Sequence, residues 1–500
     1  MMNFSARGAH LETITRKQAV VRLLAILIIA AAVRIHLTVS ASVISRDGVQ
    51  YVSMARDMAD DWRAGIPPQL HFGYPLLIRL THAAVGPLLA GDLLMQWQRS
   101  GQLVSLMGGL CCIPLIYLLG RRLFSRRVGM LSAFVWALLP YAARFSADAL
   151  SDMPHLALVL AGLLFTMSGM STRAWPHWFL AGLLGGAAYC IRPEGGEVEF
   201  IAVVVALLSP RLGPLPRRLI ACVAIVCGFS LLGGGYVLAE GRLFSKHLAI
   251  FSAVNFRTPF LAGIGGVPKA MLELINELTQ TLHGVWLFLA IAWRFIPAKP
   301  ALRSRRIIAP FLLWMLHAAI LVWLHTVRDY ISSRHVVLLD VGFVIFACAS
   351  LARLQTWLSR RSAVSTGLVR RFDLHVAVVL SLATTPWLLA DINESRHYIH
   401  PAAAWLREHG GNSPQVVSEN GWVPFYAGLR RWDACAKIEE LPAHSQLASA
   451  DWLIYDIRHV PPTQITVVPS NVVVSLAEET RFTDQKGSRG VIIYRVGRRR

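Results

Sequence analysis

The sequence from residue 20 to residue 51 reads VVRLLAILIIAAAVRIHLTVSASVISRDGVQY. Residues 20–44 are almost entirely apolar, and about 20 such residues are enough for a helix to cross a bilayer. The polar run that opens at Ser45 then marks the point where the chain leaves the membrane. This stretch therefore predicts a membrane-spanning helix followed directly by a segment at the membrane surface.

A cleaved signal peptide is the alternative interpretation of this first segment, with Ser40-Ala41-Ser42 as a small-residue cleavage site. The apolar region of a signal peptide usually has about 7–15 residues, and the run here is longer. Its length favours an uncleaved membrane anchor.

The whole chain is apolar in composition. Of its 500 residues, 55% are hydrophobic and only 16% are charged, and the mean hydropathy is +0.49. Soluble domains carry about 25% charged residues, so an ordinary soluble enzyme and a largely disordered chain are both excluded. We predict an all-α polytopic membrane protein with about eleven transmembrane helices. The predicted spans lie near residues 20–44, 98–120, 128–144, 153–170, 175–191, 198–210, 218–239, 282–297, 307–326, 335–352 and 372–391.

The formal net charge of +20 is explained by where the basic residues lie. With a cytoplasmic N-terminus, the predicted cytoplasmic loops contain many arginines and neither Asp nor Glu. This asymmetry follows the positive-inside rule, so no nucleic acid partner is needed to explain the charge. The basic loops lie near residues 121–127, 173, 211–218, 294–306 and 353–371.

Residues 392–500 differ from the rest of the chain and predict a small α/β domain. Turn signals separate short β-rich runs near residues 415–418, 452–455, 471–474 and 491–494. An odd number of spans places this tail outside the cytoplasm. Residues 1–391 then form the transmembrane domain, with external loop helices at 45–97 and 240–281, and we expect a bacterial cytoplasmic (inner) membrane location.

The first external loop contains the strongest candidate for a catalytic residue. If the loop is helical, Asp47 and Tyr51 lie on one face, and a carboxylate at the membrane surface can act as a general base. The alternative is that Asp47 only caps the helix, since Asp is a favoured N-cap.

The second external loop contains two further acids, Asp148 and Asp152. Their spacing of four residues would let them line one helix face. Ionisable groups at a span end are costly unless they face a water-filled cavity, so we consider a functional role beside a purely interfacial one.

Two arginines also flank predicted spans on the external side. Arg192 is followed by Glu194 at the end of one span, and Arg334 precedes His335 at the start of another. Arginine binds phosphate in a bidentate manner, so the pair favours an anionic ligand at the membrane surface. Each arginine could instead be structural, as in a simple Arg192–Glu194 pair.

No cofactor and no metal site is firmly predicted. Asp57, Asp60 and Asp61 could bind a divalent cation, but they fit the solvated face of an amphipathic helix better. The seven cysteines lack a C-x-x-C pair, so neither a disulfide framework nor a zinc site is expected.

Taken in order, these motifs resemble those of the GT-C membrane glycosyltransferases. The nearest group would be the family 39-like bacterial enzymes, which include protein O-mannosyltransferases and aminoarabinose lipid A transferases. The resemblance covers roughly residues 15–350. It rests on Asp47 with Tyr51, His71-Phe72-Gly73-Tyr74-Pro75, Arg121-Arg122-Leu123-Phe124, Ser151-Asp152-Met153-Pro154, Arg192-Pro193-Glu194-Gly195 and Arg334-His335.

The resemblance implies transfer of a sugar, usually with inversion, from a polyprenyl-phosphate donor to an external acceptor. It implies that Asp47 is the general base, that Asp152 assists, and that Arg192 and Arg334 hold the donor phosphate. The expected partners are the sugar donor, membrane lipid and an unidentified acceptor. We further predict that the substrate is bound by Tyr51, His71, Asp148, Glu194 and His335.

Two features depart from the family pattern. Gly48 follows Asp47 where many relatives carry a second acid, which argues against protein mannosylation. The short α/β tail is not a β-trefoil, which argues against the eukaryotic type.

Two other functions compete with this interpretation. A multi-span transporter or lipid-carrier flippase is favoured by Arg34 and His36 within the first span, although no internal repeat is present. An O-antigen-ligase-like transferase is the third. The external β-rich tail and the loop after the first span favour the glycosyltransferase.

Overall fold

The structure is a computed structural model, and it describes most of the chain. The described residues are 15–62, 71–240, 258–296, 306–361, 371–419, 421–435, 438–467 and 472–499. Parts of the predicted basic loops at 294–306 and 353–371, and part of the predicted external loop at 240–281, lie outside these ranges.

Apolar helices form the body of the molecule, and each predicted span coincides with at least one of them. They are α1 (Arg16–Ser40), α4 (Leu93–Leu123), α5 (Arg126–Leu138), α6 (Pro140–Ala147), α7 (Asp152–Thr172), α8 (Trp175–Ile191), α9 (Gly195–Leu208), α10 (Leu215–Phe229), α11 (Gly235–Glu240), α13 (Val285–Ala292), α14 (Ile308–Arg328), α15 (Val337–Arg361), α16 (Phe372–Ala383) and α17 (Thr385–Leu389). A short π-helix at Ser230–Gly234 joins α10 to α11.

The predicted count of eleven spans is not confirmed. Among the described residues, six helices are long and apolar enough to cross a membrane, or eight if each of two bent pairs is one span. Helices α8, α9 and α13 have only 17, 14 and 8 residues. The predicted span at 128–144 is bent by 59° between α5 and α6, at Pro140, which cannot donate a backbone hydrogen bond.

The buried Arg34 in α1 stabilises this bend. Its side chain is fully buried, and Nη1 donates a hydrogen bond of 2.8 Å to the carbonyl of Ala137, near the end of α5. This hydrogen bond satisfies a backbone carbonyl at a helix break. Arg34 therefore has a structural role inside a membrane helix. His36, on the same helix, is exposed.

The segment after α1 forms two helices within the predicted external loop at 45–97: α2 (Arg46–Asp60) and α3 (Gly73–Val85). Ser45 caps α2, since its Oγ accepts a hydrogen bond from the backbone N of Gly48. Asp47 lies in the first turn and is not the cap, so the capping alternative is wrong. A Cβ on Gly73 would lie 2.6 Å from the backbone carbonyl of Cys190, so glycine lets α3 approach the end of α8 closely. A further helix, α12 (Thr258–Thr281), lies in the predicted external loop.

The tail forms the predicted α/β domain. Its described residues form helices α18 (Ile399–His409) and α19 (Trp422–Tyr426) and six strands in the order β2-β1-β3-β6-β5-β4. Strand β1 pairs in parallel with β2 and β3, and the other pairs are antiparallel. The strands are β1 (Val416–Ser418), β2 (Asp433–Ala434), β3 (Trp452–Asp456), β4 (Gln464–Val467), β5 (Val472–Thr483) and β6 (Gly490–Arg499). The four predicted strands correspond to β1, β3, β5 and β6; β2 and β4 are too short to give a clear pattern.

This domain docks directly on the segment that leads into α2. The indole N–H of Trp422 donates to the carbonyl of Ile44 at 2.8 Å. The hydroxyl of Tyr426 accepts from the backbone N of Ile44 at 3.0 Å and donates to Gln98 of α4 at 2.7 Å. Asn393 donates to the carbonyl of Val43 at 2.8 Å. The tail therefore fixes the backbone three residues before Asp47.

We expect Tyr426→Phe to lower the stability of the protein by about 1–3 kcal/mol, because the change leaves buried polar groups without their partner. The measurement is thermal unfolding of the purified protein in detergent. Tyr398→Phe is the matched control, since Tyr398 is also buried and its hydroxyl has no hydrogen bond to the described residues. Equal melting temperatures for the two variants would contradict the docking role.

Candidate active site

Four predicted residues from distant parts of the sequence meet at one end of the helix bundle. Asp47 lies in the first turn of α2, and Asp152 is the first residue of α7. Arg192 directly follows α8, and Arg334 lies just before α15. Asp47 follows the apolar helix α1, and the other three residues lie where an apolar helix begins or ends. This explains how charged groups can gather beside a membrane-embedded core.

The four side chains form one ion-pair network centred on Asp152. Arg192 Nη1 contacts Asp152 Oδ1 at 2.6 Å, and Arg334 Nε and Nη2 contact Asp152 Oδ2 at 2.9 and 2.8 Å. Arg334 Nη1 also donates to Asp47 Oδ2. Arg334 is therefore a bridge between the two predicted catalytic carboxylates.

Glu194 completes the network. Arg192 donates to its carboxylate through Nε at 3.3 Å and Nη2 at 3.0 Å, so the predicted Arg192–Glu194 pair is present together with the pair to Asp152. Burial alone would raise the pKa of Glu194, but the adjacent Arg192 guanidinium holds that pKa well below its usual range. Glu194 is consequently an anion near neutral pH.

The two catalytic candidates differ sharply in their surroundings. The side chain of Asp152 is only 3% exposed and lies between two guanidinium groups, whereas that of Asp47 is 47% exposed and has one. A carboxylate held by two arginines is a poor proton acceptor, because the charges favour its ionised form. Of the two carboxylates, that of Asp47 is the one accessible to solvent.

Tyr51 lies beside this network, one helical turn after Asp47. Its hydroxyl is 3.3 Å from Ser151 Oγ, and its ring packs edge-on against Tyr74, with centroids 5.1 Å apart. Burial raises the pKa of Tyr51, even though Arg192 opposes this shift. The phenol therefore stays neutral and can donate or accept a hydrogen bond.

His335 lies next to Arg334 and is held by its own loop. Its Nδ1 accepts from the backbone N of Ser332 at 3.1 Å. Burial, and secondarily the charge of Arg192, lowers the pKa of His335 to about 4. The imidazole is therefore neutral near pH 7 and adds no positive charge to the site.

Asp148 and His71 make other contacts. The carboxylate of Asp148 accepts from the backbone N of Ser45 at 3.0 Å and of Ala149 at 2.7 Å, so it anchors the start of α2. Asp148 follows α6 and Asp152 begins α7, so the expected shared helix face is wrong: the helix is broken between them. His71 packs against the rings of Tyr189 and Tyr236, with centroids 5.4 and 4.8 Å apart.

A buried pair, Glu197 and His317, also contacts the loop that carries Arg334 and was not among the predicted site residues. His317 Nδ1 lies 2.8 Å from Glu197 Oε2, and His317 Nε2 lies 2.8 Å from the carbonyl of His335. This chain connects α9 and α14 to the loop that carries Arg334. Glu197 and His317 are ionisable residues within apolar helices, and such residues are expected to pair. Their presence in these helices is the feature of the sequence that could have indicated the pair.

No metal centre is visible in the described part of the chain, where no group of three or more His, Cys, Asp or Glu residues could hold an ion. Of the three acids considered for a cation, Asp60 pairs with Arg430 of the C-terminal domain. The acidic end of α2 thus faces that domain.

Comparisons with known proteins give one matching family model and several solved structures with a similar fold. A family model described as dolichyl-phosphate-mannose-protein mannosyltransferase matches residues 88–233. The structure is similar to ArnT from Cupriavidus metallidurans bound to undecaprenyl phosphate, with 14% identity, a TM-score of 0.60 and coverage of 96% of this chain and 98% of that chain. No curated protein sequence gives a significant match.

Two further solved structures share the fold. The oligosaccharyltransferase AglB from Archaeoglobus fulgidus, in complex with an inhibitory peptide and a dolichol-phosphate, has 13% identity and a TM-score of 0.50, covering 87% of this chain and 69% of that one. A variant of the arabinofuranosyltransferase AftD from Mycobacteria has 14% identity and a TM-score of 0.52, covering 97% and 42%. The chain is thus a multi-pass membrane protein with the GT-C fold. It is similar to the family 39-like membrane glycosyltransferases, which confirms the resemblance found in the sequence.

Proposed function

We propose that this protein is a membrane glycosyltransferase that moves a sugar from a polyprenyl-phosphate carrier to an acceptor. The observation that carries the proposal is the exposed Asp47 carboxylate, joined through Arg334 to the buried Asp152. ArnT bound to undecaprenyl phosphate and AglB with a dolichol-phosphate support a polyprenyl-phosphate donor by their similarity. The acceptor is a lipid, a glycan or a protein.

In the proposed reaction, Asp47 accepts the proton of an acceptor hydroxyl or amine. The acceptor atom attacks the anomeric carbon of the donor sugar. The bond between that carbon and the phosphate oxygen breaks, and its electron pair stays on the phosphate. A single displacement of this kind inverts the anomeric configuration.

The phosphate gains one negative charge in this step, and the two arginines are placed to stabilise it. Protonation of Asp47 removes the charge that attracts Arg334 Nη1. That N–H group then becomes free to bind the leaving phosphate as its charge develops. Asp152 keeps both guanidinium groups in position throughout, because its own contacts do not involve the transferred proton.

The site lies at the same end of the bundle as the C-terminal domain, since Trp422 binds the segment immediately before α2. We place this end outside the bacterial cytoplasmic membrane, with the N-terminus in the cytoplasm, because the arginine-rich loops favour a cytoplasmic position for the opposite end. The transporter alternative has weaker support, because Arg34 binds a backbone carbonyl at a helix bend.

Binding of the carrier tests the proposal directly. We expect undecaprenyl phosphate to bind the detergent-solubilised protein saturably, and Arg334→Gln to weaken binding about tenfold or more. Arg334→Lys, which keeps the charge, should have a smaller effect. Arg328→Gln is the matched control, because Arg328 is an exposed arginine on the same side that has no ion pair to the described residues. Unsaturable binding, or equal affinity in the Arg334→Gln and Arg328→Gln variants, would contradict the proposed phosphate site.

A further inference from the structure

A cavity lined by arginines lies at the other end of the helix bundle from the candidate active site. Its volume is about 440 Å³, and its lining includes Arg122, Arg173, Arg211, Arg306, Met167 and Met170. Helix α7 starts at Asp152 in the candidate active site and ends beside this cavity. At a rise of about 1.5 Å per residue, the two sites are roughly 30 Å apart.

The four arginines come from separate parts of the chain. Arg122 lies in the last turn of α4, and Arg173 is the C-cap of α7. Arg211 lies in the turn after α9, and Arg306 lies just before α14. Four separate parts of the fold therefore place positive charge in the same cavity. A single basic stretch of sequence would instead supply all of its charges from one element.

These charges lack acidic partners in the part of the chain that the structure describes. None of the four arginines pairs with a carboxylate there, and Arg122 donates to a backbone carbonyl, that of Leu164, at 2.5 Å. Arg122 and Arg306 are also close enough to repel each other electrostatically. A cleft lined by one sign of charge concentrates counter-ions, so this cavity attracts an anion.

Arg173 adds an independent indication. Its φ of +61° is in the left-handed region, which at a helix C-terminus usually holds glycine or asparagine. An arginine at this position adopts an unfavourable backbone conformation. Its side chain lines the cavity, which gives the residue a use that glycine could not provide.

We propose that this cavity binds a phosphate group. Guanidinium groups form strong, charge-assisted hydrogen bonds with phosphate oxygens, and a volume of this size accommodates a small ligand. Two sources can supply the phosphate: the headgroup of an anionic membrane lipid or a free phosphate. Met167 and Met170 add flexible apolar surface beside the charges. The site goes beyond the proposed glycosyl transfer and lies far from Asp47.

The test compares two ligands on the full-length, detergent-solubilised protein by native mass spectrometry. One arm titrates phosphatidic acid and the other inorganic phosphate. The variant Arg173→Gln/Arg306→Gln removes two exposed charges from the cavity. Arg217→Gln is the control, since Arg217 is an exposed arginine in the first turn of α10, six residues after Arg211, but does not line the cavity. Arg173→Lys/Arg306→Lys keeps the charge and checks that folding is retained.

We expect the double Gln variant to weaken binding of one phosphate compound about tenfold or more, with the control and the Lys variant close to wild type. Loss in the phosphatidic acid arm alone identifies a lipid headgroup as the ligand, and loss in the inorganic phosphate arm identifies free phosphate. Equal binding by all four proteins, or no binding in either arm, would overturn the proposal. The cavity variants do not alter Arg334, so a negative result in this test would not count against binding of undecaprenyl phosphate at the candidate active site.

Discussion

Asp47→Asn is expected to reduce sugar transfer by about 10²–10⁴-fold, the range over which a positioned general base contributes to a rate. The amide cannot accept the acceptor's proton, yet it has nearly the same shape, and like protonated Asp47 it carries no charge to hold Arg334 Nη1. Binding of undecaprenyl phosphate should therefore be at least as tight as in the wild type. The measurement is the rate of transfer and the affinity for the carrier in the same preparation.

Asp57→Asn is the matched control for this prediction, because Asp57 lies on the same helix but outside the ion-pair network. Its transfer rate should stay close to that of the wild type. A drop in carrier affinity for Asp47→Asn that equals its drop in rate would instead identify Asp47 as a binding residue.

Asp152→Asn is expected to lower the free energy of unfolding by about 3–5 kcal/mol, since it removes the charge that compensates two adjacent arginines. Asp152 is almost completely buried, so solvent does little to screen the loss. Transfer should fall as well, because Arg192 and Arg334 would no longer share a fixed anchor. Thermal unfolding in detergent and the rate of transfer together measure the two effects.

Asp329→Asn serves as the comparison, because Asp329 forms an exposed ion pair with Lys269. Exposed pairs contribute little to stability, so this variant should unfold like the wild type. If the Asp152 and Asp329 variants had the same stability, the buried network could not be what holds the site together.

The sequence was sufficient to predict which residues form the network, but not how they are connected. Asp47, Asp152, Arg192 and Arg334 each stand at the end of an apolar run, so topology alone brings them to one side of the membrane. The different roles proposed for Asp47 and Asp152 are inferred from their exposure and from Arg334, which contacts both. No local pattern encodes a contact between residues so far apart in the chain.

Other differences also have physical causes. The contact of Trp422 with Ile44 joins residues that are 378 positions apart. No local sequence pattern could therefore predict that the tail docks there. The bend at Pro140 and the short helices α8 and α9 explain why apolar runs do not convert simply into a count of spans. The pairing of Glu197 with His317 depends on which faces of α9 and α14 meet.

Release of free polyprenyl phosphate from a panel of radiolabelled polyprenyl-phosphate sugars tests the central claim most directly. Wild type and Asp47→Asn would be compared in proteoliposomes of the same composition, supplied with bacterial envelope extract as the source of acceptor. We predict rapid release from at least one donor by the wild type, and release at least about a hundredfold slower by the variant. Equal rates of release by the two proteins would contradict the assignment of Asp47 as the general base.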